Sequence, residues 1–187
     1  MRWRDIGDFT CSVARSLSIV GDRWTLLILR DAFLRTRRFE DFQAHLGITR
    51  HRLADRLRKL VQHGIFERVR YQAHPPRHEY RLTEKGRDLY PIIVSLVVWG
   101  DRWMADAAGV PVELIHRSCG QPIAPHLTCP VCGALVTARD IQAQPGPALK
   151  APGAQGLFAA PRPAPTAARA RPEGRALRHR THGRKRA

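Results

Sequence analysis

The sequence has no long apolar run, few cysteines, few lysines and half as many acids as bases, and each shortage excludes something. None of its 187 residues falls in a stretch approaching the roughly 18 consecutive apolar positions that span a bilayer, so no membrane role is expected. The opening residues, Met-Arg-Trp-Arg-Asp-Ile, lack an apolar core followed by a small-residue cleavage site, so no secretory signal is read there. Four cysteines without such a signal argue against a disulfide scaffold and for a cytoplasmic protein. No Ser/His/Asp set and no carboxylate pair beside a base stands at a useful spacing, so an enzyme is not expected. Acids number 16 against 32 Lys and Arg, a net charge of +16. That balance favours polyanionic partners, nucleic acid first among them.

Apolar residues make up 43% of the chain, enough for a small core, and the length suits one domain plus an attachment. Three segments are expected. Residues 1–110 carry the helical periodicity, residues 111–142 carry most of the cysteines, and residues 143–187 form a basic tail. That tail holds ten Lys and Arg, one acid (Glu173), seven prolines and twelve alanines. With few larger apolar residues it cannot offset its ordering entropy, and it reads as disordered. Arginine supplies 28 of the 32 bases, which is compatible with a compositional by-product that adds only non-specific DNA affinity.

Within the first segment, Cys11–Val20 places Val13, Leu17 and Val20 on one helical face, and Gly21 breaks the run. Asp22 can cap a second helix over Arg23–Leu34, apolar nearly all round and therefore central. Phe39, Phe42 and Leu46 mark a short helix ended by Gly47. Thr49 can cap a further helix to His63, whose stripe is Leu53, Leu57, Leu60 and Val61. Two short helices joined by Gly-Ile-Thr make a helix-turn-helix pattern. The period then changes. Ile65–Tyr71 and Glu79–Leu82 read as strands around a loop over Ala73–Arg77, a hairpin wing. Thr83 and Glu84 open a long helix through Ala108, with Leu89, Ile93, Leu96, Val97, Gly100, Trp103 and Met104 at helical spacing. The expected fold is mainly α with a small β-hairpin wing, an α+β winged helix-turn-helix.

At 100° per residue, Leu57, Leu60 and Val61 lie within about 80° of Leu53. His51, Arg52, Asp55, Lys59 and Gln62 fall on the opposite side, and Arg56 flanks the stripe. A polar face opposite an apolar stripe is what any surface helix shows. Placed in a helix-turn-helix with a wing and a large positive charge, it fits a major groove. Thr49, Arg50, His51, Arg52 and Arg56 are the candidate groove residues, since arginine matches guanine O6/N7 and also binds phosphate. Arg77, at the wing tip stiffened by Pro75 and Pro76, is the candidate for phosphate or the minor groove.

Several of these residues stand in a collinear pattern. Cys11-x12-Trp24-Thr25-Leu26-Leu27-Ile28-Leu29-Arg30 is followed by Arg38-Phe39, by Leu53-x2-Arg56-Leu57-x2-Leu60, and by Pro75-Pro76-Arg77-x-Glu79-Tyr80-x-Leu82-Thr83-x2-Gly86. Over about residues 11–105 the chain resembles HxlR-type winged helix-turn-helix transcription regulators of the MarR-like superfamily. The resemblance implies a homodimer on a pseudo-palindromic operator in double-stranded DNA, and repression is expected where such a dimer covers a promoter. It implies that the first and last helices form the dimer interface, with Trp99 and Trp103 as anchors; their alternative role is packing against Trp24. Some members of this family sense electrophiles or oxidants through one cysteine near the N-terminus, and Cys11 stands at the matching position, the candidate redox sensor for an oxidant or small-molecule effector. The alternative for Cys11 is a small buried residue at a helix start.

The second cluster lies in residues 111–142. Cys129-Pro-Val-Cys132-Gly is a zinc-knuckle pattern, and His116-Arg-Ser-Cys119-Gly repeats its spacing with histidine as first donor. Together they make a Cys3His set for a structural Zn2+, with no open position for catalytic water. His126 is a rival donor, less favoured by spacing. A thiol pair used in redox chemistry is the competing reading of Cys129 and Cys132. Two other classes of function remain: an enzyme using the zinc cluster, which the closed ligand set disfavours, and a zinc-ribbon adaptor for protein or RNA with only non-specific DNA affinity.

Overall fold

The computed structural model describes residues 3–150. The tail expected to be disordered lies outside the described residues from position 151 onward. A 3-10 turn over Trp3–Asp8 leads into α1 (Ser12–Val20), α2 (Arg23–Phe33), α3 (Phe39–Leu46) and α4 (Arg50–Gln62). The wing follows as β1 (Phe66–Gln72) and β2 (Arg77–Leu82), then α5 (Glu84–Arg87) and α6 (Tyr90–Met104). A four-residue helical turn, Pro147–Lys150, is the last element described.

Asp22 caps α2 as its position predicts. Its carboxylate accepts from the backbone N–H groups of Trp24 at 3.0 Å and Thr25 at 3.3 Å. The same carboxylate lies 3.4 Å from Arg56 Nε, so one side chain starts α2 and ties it to α4. Asp22→Ala is expected to cost about 1 kcal/mol of stability, and Asp22→Asn, which keeps a capping oxygen, distinctly less. Urea titration of both variants checks this, and equal losses would contradict the capping role.

The core is built where α2, α3, α4 and the wing base meet. Ile28, Leu29, Phe42, Leu53, Leu57, Leu60 and Phe66 are all fully buried. The α4 stripe thus points inward as its periodicity requires, apart from Val61, which is only partly buried. Gly47 closes α3 with a φ of 59°, a left-handed turn that costs glycine little.

β1 and β2 pair antiparallel, Phe66 opposite Leu82 and Arg68 opposite Tyr80, with an irregularity between Arg70 and Gln72. The residues before α3 touch this two-stranded sheet at one isolated bridge: Arg38 bridges Glu79, and Tyr80 N–H donates to Arg37 O at 2.8 Å. At the wing base Thr83 Oγ1 donates to Gly64 O at 2.6 Å and accepts from Gly86 N–H at 3.1 Å, opening α5. Gly86 packs so closely on the Ile65 carbonyl that any Cβ would collide with it.

Three expectations are corrected. The long helix from Glu84 to Ala108 is two helices, interrupted at Asp88 and Leu89 and ending at Met104. Pro91 explains the break. It has no N–H to give Arg87, and its ring would clash with that carbonyl in a continuous helix, whereas it is well placed in the first turn of α6. Of the α1 face only Val20 enters the core, while Val13 and Leu17 are exposed. Arg77 begins β2 instead of ending the loop.

Candidate nucleic-acid interface

The site is the first turn of α4 with the wing beside it. The inward pull of Leu53, Leu57 and Leu60 leaves Thr49, Arg50, His51 and Arg52 exposed at the N-terminal end. Thr49 is the N-cap residue by backbone position, but its side chain makes no capping hydrogen bond. Its hydroxyl is therefore not committed to capping, which corrects the expected capping role. Arg50 lies with its guanidinium carbon 4.9 Å from the Phe39 ring centroid, so a cation–π contact holds it against the start of α3. The His51 side chain is 86% exposed, with Nδ1 3.5 Å from Asp55 Oδ2. Asp55 also accepts from Arg58 at 2.7 Å. Arg52 has no hydrogen bond or ion pair among the described residues.

Arg56 is less available than its position suggests, being half-buried and paired with Asp22. Lys59 leaves the open face altogether, because its Nζ donates to Ser18 O at 2.7 Å and fastens α4 to α1. Helical angles place a side chain on a face, but they do not show a neighbouring helix that captures it.

Between the starts of α3 and α4 and the wing runs a groove of about 540 Å³, lined by Arg38, Arg50, Arg68, Arg77 and His78 and also by Glu40 and Asp41. Arg38 lies over Tyr71, 4.9 Å from its ring centroid. Arg68 approaches His78 Nδ1 at 3.1 Å. Loss of water contact, then the charges of Arg68 and Arg70, hold His78 below the usual histidine range. His78 is thus an acceptor for Arg68 near neutral pH. Arg68 was not singled out by sequence reasoning. Its outward place in the pleat is visible only once the register with Tyr80 is known. Arg38 and Arg68 enlarge the expected set, so that four arginines outnumber Glu40 and Asp41 on the groove walls, a net positive lining suited to phosphate.

Trp99 and Trp103 do not pack inside the chain. They are 56% and 65% exposed, on the same side of α6 as the exposed Ile92 and Leu96. Cys11 is the half-buried N-cap residue of α1 and makes no capping hydrogen bond.

In the cysteine segment the donors stand in two pairs. His116 Nδ1 lies 3.3 Å from Cys119 Sγ. Cys129 is hydrogen-bonded by the backbone N–H groups of Cys132 and Val131 and by the Cys132 side chain, which together hold its thiol below the usual cysteine range. The two pairs are not gathered at one point: among the described residues, no cluster of three or more such donors is placed to hold a metal. The segment runs alongside α6, with Pro125, His126, Leu127 and Leu135 facing Trp99 and Trp103 across a shallow cavity.

Comparison with known proteins decides the family. Residues 19–108 match the model of the HxlR-like helix-turn-helix family. The HTH-type transcriptional regulator Rv3095 of Mycobacterium tuberculosis is 51% identical over 140 residues, covering 75% of this chain and 89% of that protein. The chain belongs to the HxlR-like helix-turn-helix family. A second HTH-type transcriptional regulator, YdeP of Bacillus subtilis, is 35% identical over 94 residues, 50% of this chain and 73% of its own. Among solved structures, PA1607, described as a candidate transcription factor, superposes with a TM-score of 0.67 at 37% identity. It covers 74% of this chain and 96% of its own. PA1374 of Pseudomonas aeruginosa gives 0.53 at 37% identity, covering 74% and 94%. These relatives are HTH-type transcriptional regulators, and the two-stranded wing after α3 and α4 makes this chain a winged helix-turn-helix. No helix among the described residues is long and apolar enough to cross a membrane.

Proposed function

We propose that the protein is a homodimeric repressor that lays α4 in the major groove of a pseudo-palindromic operator and sets its wing on the flanking backbone. The open first turn of α4 beside an arginine-lined groove carries this reading. An N-terminal turn meets base edges when a recognition helix enters a groove, and Arg52 has no competing partner among the described residues. The dimer rests on the exposed apolar residues Ile92, Leu96, Trp99 and Trp103 of α6 together with Val13 and Leu17 of α1. Repression follows when such a dimer occupies a promoter.

A gel shift on the DNA upstream of the gene, across a salt series, tests the reading. Affinity should fall by about 0.9 in log K per log unit of salt for each phosphate contacted, while preference for one site persists. Footprinting should show two half-sites about one helical turn apart. Loss of preference as salt rises would favour the adaptor reading instead.

We assign any oxidant response to Cys11, the thiol at the start of the helix beside the proposed dimer face. Diamide is expected to change operator affinity in the wild type and not in Cys11→Ser. Equal behaviour of the two proteins ends the assignment.

A further inference from the structure

Residues 114–123 and 127–136 fold as the same hairpin twice, displaced by 13 positions. Gly120 N–H donates to His116 O at 2.7 Å, and Gly133 N–H to Cys129 O at 2.8 Å. His116 N–H donates to Gln121 O at 2.9 Å, and Cys129 N–H to Ala134 O at 2.8 Å. Ile123 N–H reaches Leu114 O at 2.8 Å, and Val136 N–H reaches Leu127 O at 2.9 Å. Each hairpin closes with a bridge, Ile115 to Pro122 and Thr128 to Leu135. Each turns on a glycine in the left-handed region, at φ 70° for Gly120 and 72° for Gly133. The donor residues hold equivalent places, His116 with Cys129 and Cys119 with Cys132.

These hairpins have no core. From Ala105 to Gln142 no residue is buried, and only Leu114, Cys129 and Val136 are half-buried. Val131 is 92% exposed, and Leu127, Leu135 and Ile115 are largely so. So short a segment cannot offset its ordering entropy by apolar burial, and small domains in that position use a staple. The donor set, three cysteines and one histidine, says which staple. In a tetrahedral zinc site, bonds of about 2.1–2.3 Å put neighbouring donors about 3.6 Å apart. His116 Nδ1 and Cys119 Sγ already stand at 3.3 Å.

We propose that the paired hairpins are two knuckles of one structural zinc site, bound by His116, Cys119, Cys129 and Cys132. Each thiol releases its proton to solvent on binding, and neutral imidazole supplies the fourth bond. Residues 124–126, which join the hairpins, make no backbone hydrogen bond to other described residues, so the two pairs can be drawn onto one ion. The proposal is independent of what the first 110 residues bind.

The test is metal content of the full chain purified without chelator. One zinc per chain is expected. It should be lost in Cys129→Ser/Cys132→Ser, kept in His116→Cys, and kept in His126→Ala. Chelation should expose residues 109–142 to protease while α1 to α6 stays resistant, and zinc should restore protection. That readout keeps the test decisive if a serine variant folds poorly. Zinc below about 0.2 per chain, or full zinc in the double serine variant, overturns the site. A Cys129–Cys132 disulfide in protein free of metal would do the same and assign the pair to redox chemistry.

Discussion

Arg52→Ala lowers operator affinity by about 10–100-fold, and Arg50→Ala/Arg52→Ala by more. A bidentate arginine–guanine contact contributes about 1–3 kcal/mol of discrimination, and Arg52 projects from the first turn of α4 with nothing in the described chain to hold it elsewhere. A homodimer carries the substitution twice, once per half-site, which multiplies the loss. Arg77→Ala behaves differently. A wing residue on phosphate weakens binding to all sequences alike and reduces the salt slope by about one. Titrating each variant against operator and scrambled duplex separates the two roles. If Arg52→Ala loses affinity equally on both duplexes, Arg52 is a phosphate contact and specificity resides elsewhere. Stability should be unchanged in Arg52→Ala and Arg77→Ala, whose side chains are exposed, and lowered by no more than about 1 kcal/mol in the double variant, which loses the Arg50–Phe39 contact.

Trp99→Ala/Trp103→Ala turns the dimer into a monomer at micromolar concentration and lowers operator affinity by more than any single arginine change. Two tryptophans on one exposed helix face match what binding hot spots are made of, and truncating such residues costs about 2 kcal/mol or more each. A monomer keeps one half-site and loses the coupling between the two. Sedimentation of wild type and variant measures the first effect, and operator titration the second. A variant that remains dimeric would place the interface elsewhere, and the tryptophans would then serve only to seat the cysteine segment along α6.

The helix-turn-helix was legible almost to the residue. Phe39–Leu46 is an expected helix found intact, and Gly47 ends it for the reason glycine usually ends a helix. The Asp22 cap and the inward stripe of α4 were equally plain, since both follow from local chemistry and a single period. The break before α6 was missed because Pro91 sits within an otherwise perfect apolar pattern. Periodicity reports which face is apolar, and it does not report whether the backbone can hydrogen-bond. Lys59 and Arg56 were placed on or beside an open face, and partners from α1 and the α2 cap then claimed them. Arg38 and Arg68 joined the site only through strand register. The knuckle spacing was visible as a motif, but the identical backbone pattern of the two hairpins and their lack of a core required coordinates.

The central claim is that the outward ridge of α4 reads a duplex while its other side forms the core. Competition binding with operator and scrambled DNA, for wild type and Arg50→Ala/Arg52→Ala across a salt series, tests it most directly. A preference for operator that survives rising salt in the wild type and collapses in the variant is the predicted result. A preference that is the same in both proteins, or absent from both, would contradict it.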